Sequence, residues 1–174
     1  AEFFKNMSIG NLQGSYQYLI VSPVSLKSSI LQMMDEEIRK GKDGRIVMKM
    51  NSVTDVDFIR KVSEASRAGV RVDLIVRGIC GLVPEVKGLS DNITVRSIVG
   101  VYLEHSRIYY FENAGNPEVF AGSGDIMTRN MFKRIECIFP IEDQDLKSRV
   151  INEILPAYLK DNRFSNLLHS NGAY

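Results

Sequence analysis

His105 and Arg107 stand two residues apart, Glu112 follows, and a Gly122-Ser123-Gly124-Asp125 loop leads on to Arg129 and Asn130. Residues two apart share one face of an extended strand, so a strand over 104–111 lines up His105, Arg107 and Tyr109. Histidine trades a proton near neutral pH or accepts a phosphoryl group. Arginine keeps its charge and grips phosphate oxygens through two donors at once. A Gly-Ser-Gly loop lets backbone N–H groups approach an anion, and Ser123 adds a hydroxyl. Asp125 is expected to orient the His105 imidazole. The chemistry this set suits is the holding of a phosphate oxyanion and the movement of a proton or a phosphoryl group. A structural histidine beside a solvated arginine fits the first two residues equally well. Gly-Ser-Gly-Asp alone is a common turn, and it gains meaning only by following the His-x-Arg strand.

Arg77 stands where an apolar stretch opens into a Gly-rich loop. Ligands collect at the carboxyl ends of strands in open α/β sheets, which makes Arg77 a second phosphate clamp, with a surface salt bridge as the alternative. Arg96 and Arg129 are weaker candidates of the same sort, and Arg129 also fits a structural pinning with Thr128 and Asn130. Strand parity puts Glu112 opposite His105, so a structural pairing role is expected for it. His169 sits in a polar tail and reads as exposed.

The composition agrees with a local anion site. The 174-residue chain carries 44% hydrophobic and 25% charged residues and a formal net charge of +1. That is a globular composition, with no global field to mark a nucleic-acid or membrane binder. Cys80 and Cys137 have no metal-ligand spacing to a histidine and read as free buried thiols of a reducing cytoplasm. No apolar run reaches the roughly 20 residues of a membrane helix. The chain begins at Ala1 without a cap or turn signal, which is the expectation for a piece of a longer protein.

The elements that must position these residues follow from periodicity. A buried strand is expected over 16–21. Ile30, Leu31, Met34 and Ile38 recur at helical spacing up to Gly41. A strand over 46–50 follows. Thr54-Asp55-Val56-Asp57 opens a helix that carries Phe58, Ile59, Val62 and Ala65 and closes at Gly69. A β-branched strand over 70–76 comes next. This alternation predicts a parallel sheet with right-handed crossovers. After a loop over 77–92, strands over 93–99, 104–111, 119–121 and 135–140 predict a mixed or antiparallel second half. An amphipathic helix over 144–159 ends the regular structure, with Pro156 expected to stop or kink it. The division reads as a lead-in over 1–15, one domain over 16–160 and a peripheral tail over 161–174.

The His-x-Arg and Gly-Ser-x-Asp spacing resembles the phospholipase-D-like signature, with Arg107 in place of lysine, Glu112 in place of aspartate and Asp125 in place of asparagine. A closer resemblance runs through IVMKMNS (46–52), LIVRGIC (74–80), NITVRSIV (92–99), YLEHSRIY (102–109) and DIMTRN (125–130). These segments are similar to successive landmarks of type-1 polyphosphate kinase, in the second of its two phospholipase-D-like C-terminal domains. The resemblance implies a single α/β domain with a mixed sheet flanked by helices. It implies an enzyme that reversibly transfers the ATP γ-phosphate, with magnesium, to inorganic polyphosphate through a phosphohistidine. That histidine and the magnesium-associated residues lie in a domain absent from this chain, so the domain alone is expected to hold no metal and to be inactive. Arg77 and His105 correspond to the family's contacts with the ATP phosphates. Arg107, Ser123, Asp125, Arg129 and Asn130 are supporting candidates. A cytoplasmic homo-oligomer, with membrane association of the full-length enzyme left open, that takes ATP or ADP and no nucleic acid is the accompanying expectation. The alternatives are a dimeric phospholipase-D-like phosphodiesterase, with two copies of His105 facing each other, and a non-enzymatic polyanion-binding module.

Overall fold

The computed structural model describes residues 2–11 and 13–174. The expected lead-in falls partly on residues 1 and 12, outside the described residues. Around them the chain forms a short helix, α1 (Glu2–Ser8), with no buried residue.

One eight-stranded sheet organises the rest. Its strands are β1 (Ile20–Val21), β2 (Arg45–Met50), β3 (Arg71–Val76), β4 (Ile93–Ile98), β5 (Arg107–Phe111), β6 (Glu118–Gly122), β7 (Cys137–Pro140) and β8 (Ser165–Leu167). Their spatial order is β1-β7-β6-β5-β2-β3-β4-β8. β2 pairs parallel with β3, and β3 with β4, while every other pairing is antiparallel.

Helices cover both faces, so the central strands are apolar on both sides. On one face α2 (Leu26–Lys40) and α3 (Val56–Arg67) bring Leu26, Ile30, Met34, Phe58 and Val62 onto Ile46, Met48, Leu74 and Val76. On the other, Val47, Ile75, Ile108 and Tyr110 meet Val150 and Leu155. The start of α3 is as the local sequence demands: Asp55 is the N-cap, and its carboxylate accepts from the Phe58 N–H. Gly69 takes φ +97° just past the helix, a conformation that favours glycine.

Several elements differ from expectation. The strand expected over 16–21 is only Ile20–Val21. It lies at the sheet edge, with β5, β6 and β7 between it and β2, instead of starting the parallel block. Its partner is β7, which fixes only the pairs Ile20 with Ile138 and Val21 with Cys137. An apolar run says that a segment is buried but carries no information about its partner. The strand expected over 104–111 starts at Arg107, because pairing with β2 begins at Ile108–Lys49 and pairing with β6 at Arg107–Gly122. The helix over 144–159 keeps going through Pro156: α5 (Gln144–Arg149), a π-helical stretch (Val150–Ile154) and α6 (Leu155–Leu159) follow without a break. Proline lacks an N–H and its ring presses on the carbonyl one turn back, and the widened turn before it absorbs both effects. The tail expected to be peripheral adds β8 to the edge of β4 and buries Leu168 in the main core.

Candidate phosphate site at the strand ends

Several of the residues singled out by type and spacing converge at one edge of the sheet. Lys49 lies next to the end of β2, Arg77 follows β3, residues 99–104 follow β4, His105 precedes the antiparallel β5 and Arg107 begins it. The loop after β6 brings Asp125 to the same edge. This is the carboxyl end of the three parallel strands, where α/β folds gather their ligands.

Asp125 is the structural hub. It is buried, and its carboxylate takes both forks of Arg107, with Oδ1 accepting from Nε at 3.2 Å and Oδ2 from Nη2 at 3.1 Å. Oδ1 also accepts the backbone N–H of Asn51 at 2.7 Å and the Asn51 Nδ2 at 3.1 Å. The chain just after β2 bridges two loops, Val53 pairing with Cys80 after β3 and with Ile126, and the Thr54 N–H donates to the Ile126 carbonyl. The expected contact of Asp125 with the His105 imidazole is not made. Asp125 holds Arg107, and Arg107 in turn holds His105: its Nη1 lies 3.2 Å from His105 Nδ1 and donates to the His105 carbonyl at 3.0 Å. A guanidinium only donates, so this contact is a hydrogen bond in the tautomer that carries the ring proton on Nε2. His105 is exposed.

Arg107 is thereby engaged in support: each of its three guanidinium nitrogens contacts Asp125 or His105, because β5 starts at Arg107 and turns its side chain toward the buried carboxylate.

Ser123 is likewise tied to its neighbours. Its N–H donates to the Cys137 carbonyl at 2.9 Å, and its Oγ accepts the Cys137 N–H at 3.2 Å. The glycines beside it serve packing. A Cβ on Gly122 would stand 2.1 Å from the Cys137 carbonyl oxygen, and one on Gly124 would stand 3.1 Å from Leu26 Cδ2. The Gly124 carbonyl accepts the hydroxyl of the fully buried Tyr109, whose pKa burial pushes far up, so it stays a donor. The loop is a close-packed joint between β6 and β7.

Asn130 is buried and donates to the Asp125 carbonyl at 3.2 Å, while its own carbonyl accepts from Ser22. Arg129 borders a separate hollow with Thr128, Phe132 and Lys133. Arg96 donates to the Leu159 carbonyl at 2.6 Å, a structural tie. Glu112 accepts the Tyr110 hydroxyl, as its pairing role demands. His169 is exposed beside Glu85.

Arg77 is different. Its backbone is fixed by the Met50 carbonyl and the Ser97 hydroxyl, yet among the described residues no carboxylate pairs with its guanidinium. It opens onto a cleft of about 290 Å³ whose other wall is Ile98–Glu104. Lys49 was not singled out from the sequence. Its Nζ is buried under the 104–106 segment, 3.3 Å from the Glu104 carbonyl, 3.2 Å from the Ser106 carbonyl and 3.5 Å from Glu104 Oε2. Burial lowers its pKa; Glu104 opposes this, and the charges of Arg77 and Arg107 add to it. The site is thus a cluster of three cations, Lys49, Arg77 and Arg107, around an exposed imidazole. Its two acids, Glu104 and Asp125, are already matched to Lys49 and Arg107. Such a site suits anionic oxygens. Among the described residues no group of three or more His, Cys, Asp or Glu side chains is placed to hold a metal ion. Cys80 and Cys137 are free, and burial raises both thiol pKa values. Among the described residues no helix is long and apolar enough to cross a membrane.

A mixed sheet with helices on both faces and its site at the strand ends is the phospholipase-D-like fold. The chain overlays the Salmonella typhimurium phospholipase D family member Nuc with a TM-score of 0.62 over 87% of this chain and 97% of that one, at 16% identity. Residues 19–174 match the family model "Polyphosphate kinase C-terminal domain 2", and the chain belongs to that family. It is 51% identical over 150 residues to polyphosphate kinase 1 of Chlorobaculum tepidum, across 84% of this chain and 21% of that protein. It is 44% identical over 176 residues to a polyphosphate kinase of Parasynechococcus marenigrum, across 99% of this chain and 25% of that protein. The polyphosphate kinase of Porphyromonas gingivalis overlays it with a TM-score of 0.91 at 38% identity, across 98% of this chain and 26% of that one. The chain thus spans about a quarter of the length of these relatives.

Proposed function

We propose that this chain is the phosphate-binding half of a polyphosphate kinase active site, with the phosphoryl-carrying histidine and the magnesium held by a domain outside it. Arg77 binds phosphate oxygens of ATP or of the polyphosphate chain. His105 faces the same oxygens through Nε2–H and either clamps the charge of the transition state or donates a proton to it. Arg107 and Asp125 set the ring, and Asn130 backs Asp125. One observation carries the reading: in a chain of this family, the guanidinium of Arg77 has no acid partner among the described residues, while the neighbouring Lys49 and Arg107 are matched to Glu104 and Asp125.

In the full-length polypeptide, Arg77→Ala and His105→Ala are each expected to cost at least ~10²-fold in phosphoryl transfer from ATP to polyphosphate. Near-wild-type rates in both variants overturn the assignment. The isolated chain, given ATP, magnesium and polyphosphate, is expected to transfer nothing. The phosphodiesterase alternative rests on the fold alone, and steady hydrolysis of a simple phosphodiester by the isolated chain is the result that favours it.

A further inference from the structure

Lys49 has no packing reason to be a lysine. It lies in β2, a strand buried on both faces, and its side chain is 3% exposed beside Val47, Ile108 and the α6 residue Tyr158. An ammonium taken out of water costs several kcal/mol unless it is paired and hydrogen-bonded, and a methionine of similar length would fill the same space without that cost. The compensation found is specific. Two of its bonds go to the carbonyls of Glu104 and Ser106, the residues on either side of His105. The Glu104 carboxylate lies 3.5 Å away, and the Tyr158 ring faces it at 4.8 Å. His105 itself precedes β5, and its N–H bonds only locally, to the Leu103 carbonyl at 3.0 Å. No ladder therefore fixes this residue, and the segment before it exposes Val99, Val101, Tyr102 and Leu103 to solvent.

We infer that Lys49 is a positioning residue for His105, a buried cation that pins the backbone on both sides of the histidine to the central strand and so fixes where the imidazole stands against the phosphates. The inference rests on the proposed phosphate role of His105. Arg107 sets the orientation of the ring, and Lys49 sets the location of its Cα.

The test compares the wild type with Lys49→Met in the full-length polypeptide by two readouts. Amide hydrogen exchange followed by mass spectrometry reads residues 103–107 directly. Loss of the pin is expected to speed exchange there by at least ~10-fold, through local opening, while β3 keeps its protection. Steady-state kinetics with ATP and polyphosphate are expected to show kcat down by ~10- to 100-fold, as a misplaced catalytic group gives, with the KM for ATP within about threefold because Arg77 is untouched. A merely structural lysine would instead lower the folded fraction and loosen β3 as well. Lys49→Gln keeps a neutral donor with shorter reach and is expected to give the same split. It is the variant to read if the methionine protein does not fold. Wild-type exchange over 103–107 in the folded variant, or faster exchange with unchanged kcat, overturns the inference. If the wild type makes no polyphosphate, the proposed function falls, while the exchange arm still decides whether Lys49 pins the segment.

Discussion

Asp125→Asn replaces one carboxylate oxygen with an NH2 group and changes nothing else in shape. In the structure Oδ1 accepts from Asn51 N–H, Asn51 Nδ2 and Arg107 Nε, and Oδ2 accepts from Arg107 Nη2 and, at 3.3 Å, from Asn51 Nδ2. The amide oxygen can keep the Oδ1 set. The new NH2 must then face Nη2, a donor opposite a donor, and the Arg107 charge loses its partner at a place where the two side chains are only 14% and 11% exposed. Breaking a buried pair from one side costs roughly 3–5 kcal/mol. Partial exposure and the surviving Oδ1 bonds put this case near the bottom of that range, about 3 kcal/mol. In a chain of this size that is a fall in Tm of about 6–12 °C. Urea unfolding of the isolated chain, followed by circular dichroism with the slope held constant, reads the free energy. Arg107→Gln together with Asp125→Asn closes a double-mutant cycle, and a coupling above about 1.5 kcal/mol is expected for a charge-assisted pair. A single-variant loss below about 1 kcal/mol, or a coupling near zero, would refute the view that Asp125 is the hub that organises Arg107 and, through it, His105.

Two further perturbations bear on the frame around the site. Gly122→Ala drives a Cβ to 2.1 Å from the Cys137 carbonyl oxygen, so β6 and β7 must part. A loss of at least ~2 kcal/mol in the same urea assay is expected, within the range for overpacking, and a neutral variant would contradict the close approach. Lys27 bridges Asp55 and Asp57 at 2.9 and 2.7 Å. Burial pulls its pKa down, but hydrogen bonds to Asp57 and Asp55 outweigh that and leave it above 10.5, while the bond to Lys27 holds Asp57 below 3.8. A base raised by folding stabilises below its unfolded pKa, and an acid lowered by folding stabilises above its own. The Tm gap between wild type and Lys27→Met is therefore expected to be flat between about pH 5 and 9, to shrink as pH rises through 10.5 and to shrink as pH falls below 3.8. A gap that widens at either extreme would reverse the assigned signs.

Much of this molecule is set locally and is legible without coordinates. The 3.6-residue spacing of Ile30, Met34 and their neighbours forms α2, the Asp55 cap begins α3, and the apolar runs 46–50 and 70–76 become β2 and β3, because each of these signals acts within one or two turns of chain. The place of Arg77 just past the end of β3 is likewise legible from the sequence. What the tertiary structure alone decides is pairing. No local pattern says that β5 inserts beside β2, that β1 crosses to the far edge, or that the polar tail supplies β8. The same limit governs the site. Asp125 turned out to hold Arg107 instead of His105, since the choice depends on where β5 begins, and that is fixed by its two neighbouring strands. Lys49 left a trace in the sequence, a lysine inside a run of Ile46, Val47, Met48 and Met50, where charge is seldom buried unpaired. Its partners, the carbonyls on either side of His105, lie more than fifty residues away. A hydrogen bond between such distant parts of the chain exists only once the sheet has brought them together.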